Sequence, residues 1–226
     1  KGRIAWRLTA RMPNRFGDCD ITAPIDPTHC GWSGWRGPAQ NPSVVDPPQG
    51  RLWTANARTA DGEALALLGD SGYALGARAK QIRDGLYARQ QFTERDLLAI
   101  QLDDRALLHA RWYKLLREKA LASRAPAWSD IEVATRTWEG RASPDSVSFR
   151  IVREWRLAVL QRVKEGLLAP AMAAMGKDFV MPDLPQIEGV AWELVTRKPA
   201  NLLPRAYASW DELFLDAARE VDTSLQ

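Results

Sequence analysis

The chain lacks any apolar run that approaches the roughly 18 to 20 residues needed for a membrane-spanning helix. Its first residues also lack the layout of a signal peptide, in which a charged segment precedes an apolar one. We therefore expect no membrane partner. The protein is either cytosolic or one whose leader has been removed.

Cysteine and histidine are scarce, with two of each in 226 residues. Cys19 and Cys30 lie in one predicted loop, without a CxxC pair or a histidine cluster at zinc spacing, so the sequence predicts no metal centre. In an oxidising compartment, a disulfide between them would contribute about 3 kcal/mol in the chain-entropy model. Two unpaired thiols are the alternative, and the residues alone leave both open.

An excess of one charge sign is also missing. The 31 basic and 28 acidic residues alternate closely, as in Glu94-Arg95-Asp96, and the net charge is +3. Interleaved signs are typical of a solvated face and not of a stripe that follows phosphates. We therefore expect no nucleic-acid partner, and no motif indicates a phosphate loop or a nicotinamide site.

Strand signals are confined to the first third of the chain. Alternation of apolar and polar residues over 3–11 predicts a half-buried strand. Residues 12–50, rich in proline and glycine, read as a long ordered loop. Residues 51–56 and 64–68 are predicted to be further strands, joined by a turn at Asp61-Gly62.

From Leu75 onward the apolar residues recur with helical period. Thr93 with Asp96, and Ser209 with Glu212, match the capping box that opens a helix. The sequence predicts a first helix that begins near residue 77 and a last helix that begins after residue 209. Between them, helices are predicted over 93–120, 129–139, 143–168 and 188–195. The sequence therefore predicts an α+β protein, with strands and a long loop in 1–72 and a helical subdomain in 73–226.

Several short motifs, in this order, resemble the β-subunit of the penicillin acylase family, and the resemblance extends over most of the chain. They are KGRIAW (1–6), ARMP (10–13), GWSGW (31–35), NP (41–42), GRLWTANAR (50–58), ARAKQI (77–82) and SPDS (143–146). Each motif is weak alone, and their common order is what is specific. The chain departs from the family at Ala57, where many members repeat an asparagine.

The resemblance implies an internal fragment of a two-chain amidohydrolase. The fold would combine some strands of the αββα core of N-terminal-nucleophile hydrolases with a mainly helical subdomain. The partners would be the α-subunit and the remaining β-subunit segments. Export to the periplasm or secretion is also implied, with the leader outside this chain, and this favours the disulfide. The substrate would be a linear amide, such as the acyl side chain of a β-lactam antibiotic or an acyl homoserine lactone.

The resemblance also assigns the site residues. Acyl transfer needs a nucleophile, a base and donors for the oxygen that becomes negative. In the family, an N-terminal serine supplies the first two, a role that Lys1 cannot fill. Asn56 matches the oxyanion-hole asparagine, and Arg78 matches an arginine that supports that asparagine and the substrate carbonyl. Trp53 and Arg58 are expected to contact the substrate.

No cofactor is expected. Some members of the family bind calcium, but no acidic residue lies close before Gly69, where those members place a ligand.

Other interpretations of the same residues are available. Asn56 could cap backbone groups in the turn at Asp61. Arg78 could form an ordinary ion pair with Asp70 or Glu63. In that case the chain would be a helical structural or interaction module without catalytic activity.

The fragment interpretation predicts that this chain alone has no amide hydrolase activity, because the nucleophile is not in it. An assay of amide hydrolysis should show no rate above buffer. Measurable turnover would contradict the interpretation.

Overall fold

The computed structural model describes residues 2–17, 26–69 and 72–225. The chain forms two compact units, residues 1–91 and 92–226. The first holds all the strands described, two α-helices and a short 3-10 helix, and the second is helical. The predicted α+β class is confirmed. The sequence predicted a division between residues 72 and 73, where the spacing of apolar residues becomes helical. That division was not based on contacts between residues, and it stays a prediction.

Four short strands form two separate antiparallel pairs in the first unit. The first pair is β1 (Ala5–Arg7) with β4 (Ser43–Val45), and the second is β2 (Pro13–Phe16) with β3 (Gly31–Trp35). The strand predicted in 3–11 is confirmed in shortened form. The stretch predicted as a loop carries the other three strands. Pro13 is the first residue of β2, a position where a strand tolerates the missing backbone donor.

A buried asparagine holds the chain beyond the end of β1. Asn41 Nδ2 donates to the carbonyl oxygens of Leu8 at 3.1 Å and Ala10 at 2.9 Å. The segment after β1 thus stays attached to the β4 side without a regular ladder. Cys30 is also buried, but Cys19 lies outside the described residues, so the disulfide stays a prediction.

Two predicted strands are wrong. Residues 64–68 belong to helix α1 (Gly62–Leu68), because Ala, Leu and Glu are strong helix formers and the alternation of Ala with Leu only imitates a strand pattern. Residues 51–56 pair with no described strand and end in a turn. The predicted helix near Ala77 is confirmed as α2 (Ala77–Tyr87).

The second unit contains six α-helices in the part of the chain described. They are α3 (Glu94–Gln101), α4 (Leu107–Ala122), α5 (Pro126–Ala134), α6 (Val147–Met175), α7 (Ile187–Arg197) and α8 (Trp210–Leu225). The long helix predicted for 93–120 is in fact two. It breaks where Asp103 accepts hydrogen bonds from the Arg105 backbone and guanidinium, which compete with helical bonding.

Aromatic side chains form the centre of this helical unit. The fully buried Trp155 of α6 has its ring centroid 5.9 Å from Trp112, 5.9 Å from Trp128 and 5.7 Å from Phe214. Edge-on and tilted arrangements of this kind bring positive ring edges to negative ring faces. One residue of α6 therefore joins helices α4, α5 and α8 in a single core.

A buried carboxylate supplements that core. Glu188, only 3% exposed, accepts hydrogen bonds from Arg111 at 2.6 Å, Trp112 at 2.7 Å and Arg156 at 2.8 Å. Burial acts to raise the pKa of Glu188, but the hydrogen bonds from Trp112 and Arg111 and the charge of Arg156 outweigh it and lower the pKa below its ordinary value. The ionised Glu188 of α7 thus links α4 and α6 through hydrogen bonds and ion pairs.

A glycine sets the closeness of α6 to the segment before α8. A Cβ atom built on Gly166 would lie 2.5 Å from Cγ and 2.7 Å from Cβ of the buried Pro204. A proline ring cannot rotate away, so Gly166→Ala should lower the free energy of unfolding by about 1 to 3 kcal/mol. Urea unfolding followed by circular dichroism measures the change.

Gly189→Ala is the matched control, since that glycine is also helical but a Cβ there would meet nothing within 4 Å. It should raise the free energy of unfolding by roughly 0.5 to 1 kcal/mol, the usual gain of alanine over glycine in a helix. Equal effects at the two positions would contradict the packing described.

Candidate active site

Asn56, the residue that the resemblance assigns to the oxyanion hole, lies on a tight turn, 54–57. The amide of Ala57 donates to the carbonyl of Thr54 at 2.9 Å and closes the turn. Its two central residues have positive φ, 51° at Ala55 and 60° at Asn56, as in a type I′ turn. Asparagine tolerates this conformation, but an alanine there costs about 1 to 2 kcal/mol. A turn without glycine therefore needs support from outside.

That support comes from Arg78, the second residue of α2. Its Nη2 donates to the carbonyl oxygen of Ala55 and to Oδ1 of Asn56, each at 3.0 Å. The amide of Ala74 donates to the carbonyl of Asn56 at 2.9 Å. The backbone and the side chain of Asn56 are therefore both fixed against the start of one helix.

The arginine also determines which way the carboxamide points. A guanidinium can only donate, so the atom of Asn56 that faces it must be the oxygen. The Nδ2 group, with two N–H donors, is then on the opposite side. In the described part of the chain Nδ2 meets no hydrogen-bond acceptor, and Asn56 is exposed. The arrangement thus presents oriented donors that could hold a negatively charged oxygen.

The alternative contacts considered for these two residues are not seen. Among the described residues, Arg78 forms no ion pair, either with Glu63 or with another carboxylate, while Asp70 lies outside them. The side chain of Asn56 bonds to Arg78 and not to the backbone near Asp61. The structure therefore brings the two predicted residues together, and their catalytic roles stay predictions.

Trp53 and Arg58 are not joined to this pair. Trp53 is half-buried and packs edge-on against Tyr87, at the far end of α2, with ring centroids 5.9 Å apart. Arg58 is exposed two residues after Asn56 and has no hydrogen-bond partner in the described ranges. Their contact with substrate stays a prediction.

The site also depends on residues that the sequence did not single out. Ala55 has the strained backbone conformation. Its carbonyl oxygen accepts a hydrogen bond from Arg78 Nη2, the atom that also donates to Asn56. The pair Ala-Asn is a weak turn signal, because type I′ turns favour glycine or asparagine at both central positions. Periodicity could not have found this turn.

Neither a metal site nor a membrane span is found in the part of the chain described. In residues 2–17, 26–69 and 72–225, His, Cys, Asp and Glu form no group of three or more that could hold a metal ion. No helix in these ranges is long and apolar enough to cross a membrane.

Comparison with known proteins gives one family. The family model for penicillin amidase matches residues 1–225. Three curated relatives are acyl-homoserine lactone acylases named QuiP, two from strains of Pseudomonas fluorescens and one from Pseudomonas aeruginosa. The first P. fluorescens protein is 31% identical over 62% of this chain, the P. aeruginosa protein 31% over 53%, and the second P. fluorescens protein 25% over 78%.

The chain spans only part of each of these proteins. The matches cover 17%, 14% and 23% of the respective relatives. A solved structure of a thermostable penicillin G acylase from Alcaligenes faecalis superposes with a TM-score of 0.59, over 99% of this chain and 44% of that one. At 17% sequence identity this match shows a likeness of fold alone.

The strain at Ala55 is testable. Ala55→Gly removes the steric cost of positive φ and should increase the free energy of local opening of the turn by about 0.5 to 1 kcal/mol, after the entropy cost of glycine. Hydrogen exchange of the Ala57 amide, which closes the turn, should slow accordingly. Ala88→Gly is the control, because Ala88 is exposed with φ of −67° and has no such strain to relieve. Faster exchange in Ala55→Gly would contradict a strained turn.

Proposed function

We propose that this chain, which belongs to the penicillin amidase family, forms part of an amidohydrolase that cleaves a linear amide by acyl transfer. The observation that carries the proposal is the hydrogen bond between Arg78 and Asn56. It turns the donors of the carboxamide outward at an exposed position. The relatives' names, all acylases, support the same reaction class.

The nucleophile is an N-terminal serine supplied from outside this chain. Its hydroxyl oxygen attacks the amide carbonyl carbon, while the α-amino group, which titrates near neutrality, accepts the hydroxyl proton. The carbonyl oxygen becomes an oxyanion, and Asn56 Nδ2 donates a hydrogen bond to it. Collapse of the intermediate breaks the C–N bond, and the α-ammonium group returns its proton to the leaving nitrogen, which departs as an amine. Water then cleaves the acyl ester in the same way.

Asn56 is suited to this role because a carboxamide cannot ionise and keeps its protons. One such donor contributes roughly 2.7 to 4 kcal/mol of transition-state stabilisation. Within the described ranges, Arg78 bonds to Asn56 Oδ1 and to the Ala55 carbonyl through Nη2, so its Nε and Nη1 bind the substrate carbonyl region in this proposal. Trp53 and Arg58, on the same stretch of chain, flank the substrate.

The substrate class is argued from the relatives. The proteins at 25% to 31% identity are named as acyl-homoserine lactone acylases, whereas the penicillin G acylase is similar in fold alone. An N-acyl homoserine lactone is therefore the first substrate to test, with penicillin G as the comparison. The active protein is periplasmic or secreted and includes the α-subunit and the remaining β-subunit segments.

A non-catalytic helical module is the competing function. It would leave Asn56 facing solvent without relation to Arg78. The hydrogen bond at 3.0 Å between them favours the enzyme instead.

Asn56→Ala tests the proposal in the complete processed protein. Loss of the oxyanion donor should lower kcat for an N-acyl homoserine lactone about 100- to 1000-fold. KM should change little, because the interaction is made only in the transition state. Steady-state kinetics with a fluorogenic assay of the released amine measures both.

Asn201→Ala is the matched control, since Asn201 is also exposed and lies in the second unit. It should keep the parental kcat. An Asn56→Ala enzyme with parental kcat would overturn the proposed role of Asn56.

A further inference from the structure

The segment that carries Asn56 is held at its other end by a second arginine. Arg51 Nε donates to the carbonyl of Leu86 at 2.6 Å, Nη2 to the carbonyl of Arg89 at 2.6 Å, and Nη1 to the carbonyl of Gln49 at 3.0 Å. Its guanidinium carbon also lies 5.2 Å from the centroid of the Tyr87 ring. All three nitrogens of one side chain are thus engaged.

Two of these acceptors are at the C-terminal end of α2. Helix α2 ends at Tyr87. The carbonyl of Leu86 is in its last turn, where no further helical N–H can bond to it, and the carbonyl of Arg89 lies two residues beyond the helix end. A cation is also favoured there by the helix dipole. Arg51 therefore forms the cap of α2 from a distant part of the sequence.

Segment 51–56 consequently runs along α2 between two arginine contacts. Leu86 lies eight residues beyond Arg78, which corresponds to about 12 Å along the helix. The five residue-to-residue steps from Arg51 to Asn56 span at most roughly 17 Å when fully extended, and the last part of this segment is a turn. Only four residues separate Arg51 from Asn56, so a shift at Arg51 is transmitted to the turn.

The middle of the segment adds a third contact. Trp53 packs on Tyr87, the same residue whose ring lies under Arg51. The aromatic pair alone cannot set the position along the helix, because edge-on contacts tolerate sliding better than three hydrogen bonds do. Arg51 is the directional contact.

We infer that Arg51 is a positioning residue for the oxyanion donor. It fixes segment 51–56 along α2 so that the 54–57 turn meets Arg78 and the Asn56 carboxamide is held in its catalytic orientation. Arg51 touches neither Asn56 nor Arg78 in this arrangement. The inference rests on the proposed function of Asn56 and adds a specific residue to it.

The test is a double-mutant cycle of Arg51→Gln with Asn56→Ala in the complete processed protein, with an N-acyl homoserine lactone as substrate. In the parental background, Arg51→Gln should lower kcat about 10- to 100-fold, as expected for a displaced catalytic group, with little change in KM. In the Asn56→Ala background, Arg51→Gln should cost less than about threefold, because the group it positions is gone. A merely structural role would give the same loss in both backgrounds.

Arg51→Lys is the second variant. It keeps the cation at the end of α2 but loses the fork that spans two carbonyls, so it should fold and still lose part of kcat. Arg83→Gln is the matched control on the same helix, since Arg83 donates to its neighbour Asp84. It should keep the parental kcat. Thermal unfolding of every variant checks that the fold is retained, and if Arg51→Gln does not fold, the cycle is run with Arg51→Lys.

The outcomes separate the two claims. Equal losses in both backgrounds, or a parental kcat in a folded Arg51 variant, would overturn the positioning role and leave Asn56 as the oxyanion donor. A parental kcat in Asn56→Ala would overturn the function of Asn56 and the positioning role with it.

Discussion

The whole candidate site depends on one nitrogen atom, Nη2 of Arg78. It bonds at once to the carbonyl of Ala55 and to Oδ1 of Asn56. The first bond holds a turn whose positive φ values are unfavourable for the residue at one of its two positions. The second bond determines the orientation of a carboxamide. Without this guanidinium, the Asn56 side chain would lose its defined orientation, and the turn would keep only the hydrogen bonds of the Ala57 and Ala74 amides.

The rest of the first unit supports this contact. Helix α2 carries Arg78 in its first turn and accepts the Arg51 guanidinium at its last carbonyls. Trp53 packs on Tyr87, at the same end of α2 as Arg51. The donors are therefore oriented before any substrate arrives, and such preorganisation is what makes electrostatic stabilisation effective in catalysis. The strain at Ala55 is the local cost of that orientation.

Local signals in the sequence predicted much of the fold. Thr93 and Asp96 form the capping box expected of them, and the predicted helix at 143–168 is present, although it begins after Ser146, whose hydroxyl accepts from Phe149 N. One error arose in α1, where Ala and Leu alternate as they would in a strand although both residues favour a helix. The other arose at 51–56, where a strand-like pattern has no described strand to pair with. Strand pairing depends on contacts between distant segments, and the local spacing of apolar residues carries no information about those contacts.

The candidate site was predictable only in part. Resemblance to a family indicated Asn56 and Arg78, and the geometry brings them within 3.0 Å. The turn conformation of Ala55 and the capping of α2 by Arg51 depend on tertiary contacts between residues more than 20 apart in sequence, so no local pattern could signal them.

The most direct test of the account is a crystal structure of the complete protein with a boronic acid bound covalently to its nucleophile as a mimic of the tetrahedral intermediate. The account predicts a boronate oxygen about 2.7 to 3.1 Å from Asn56 Nδ2, with Oδ1 still bonded to Arg78. A boronate oxygen held by other donors, with the Asn56 amide turned away from it, would contradict the account.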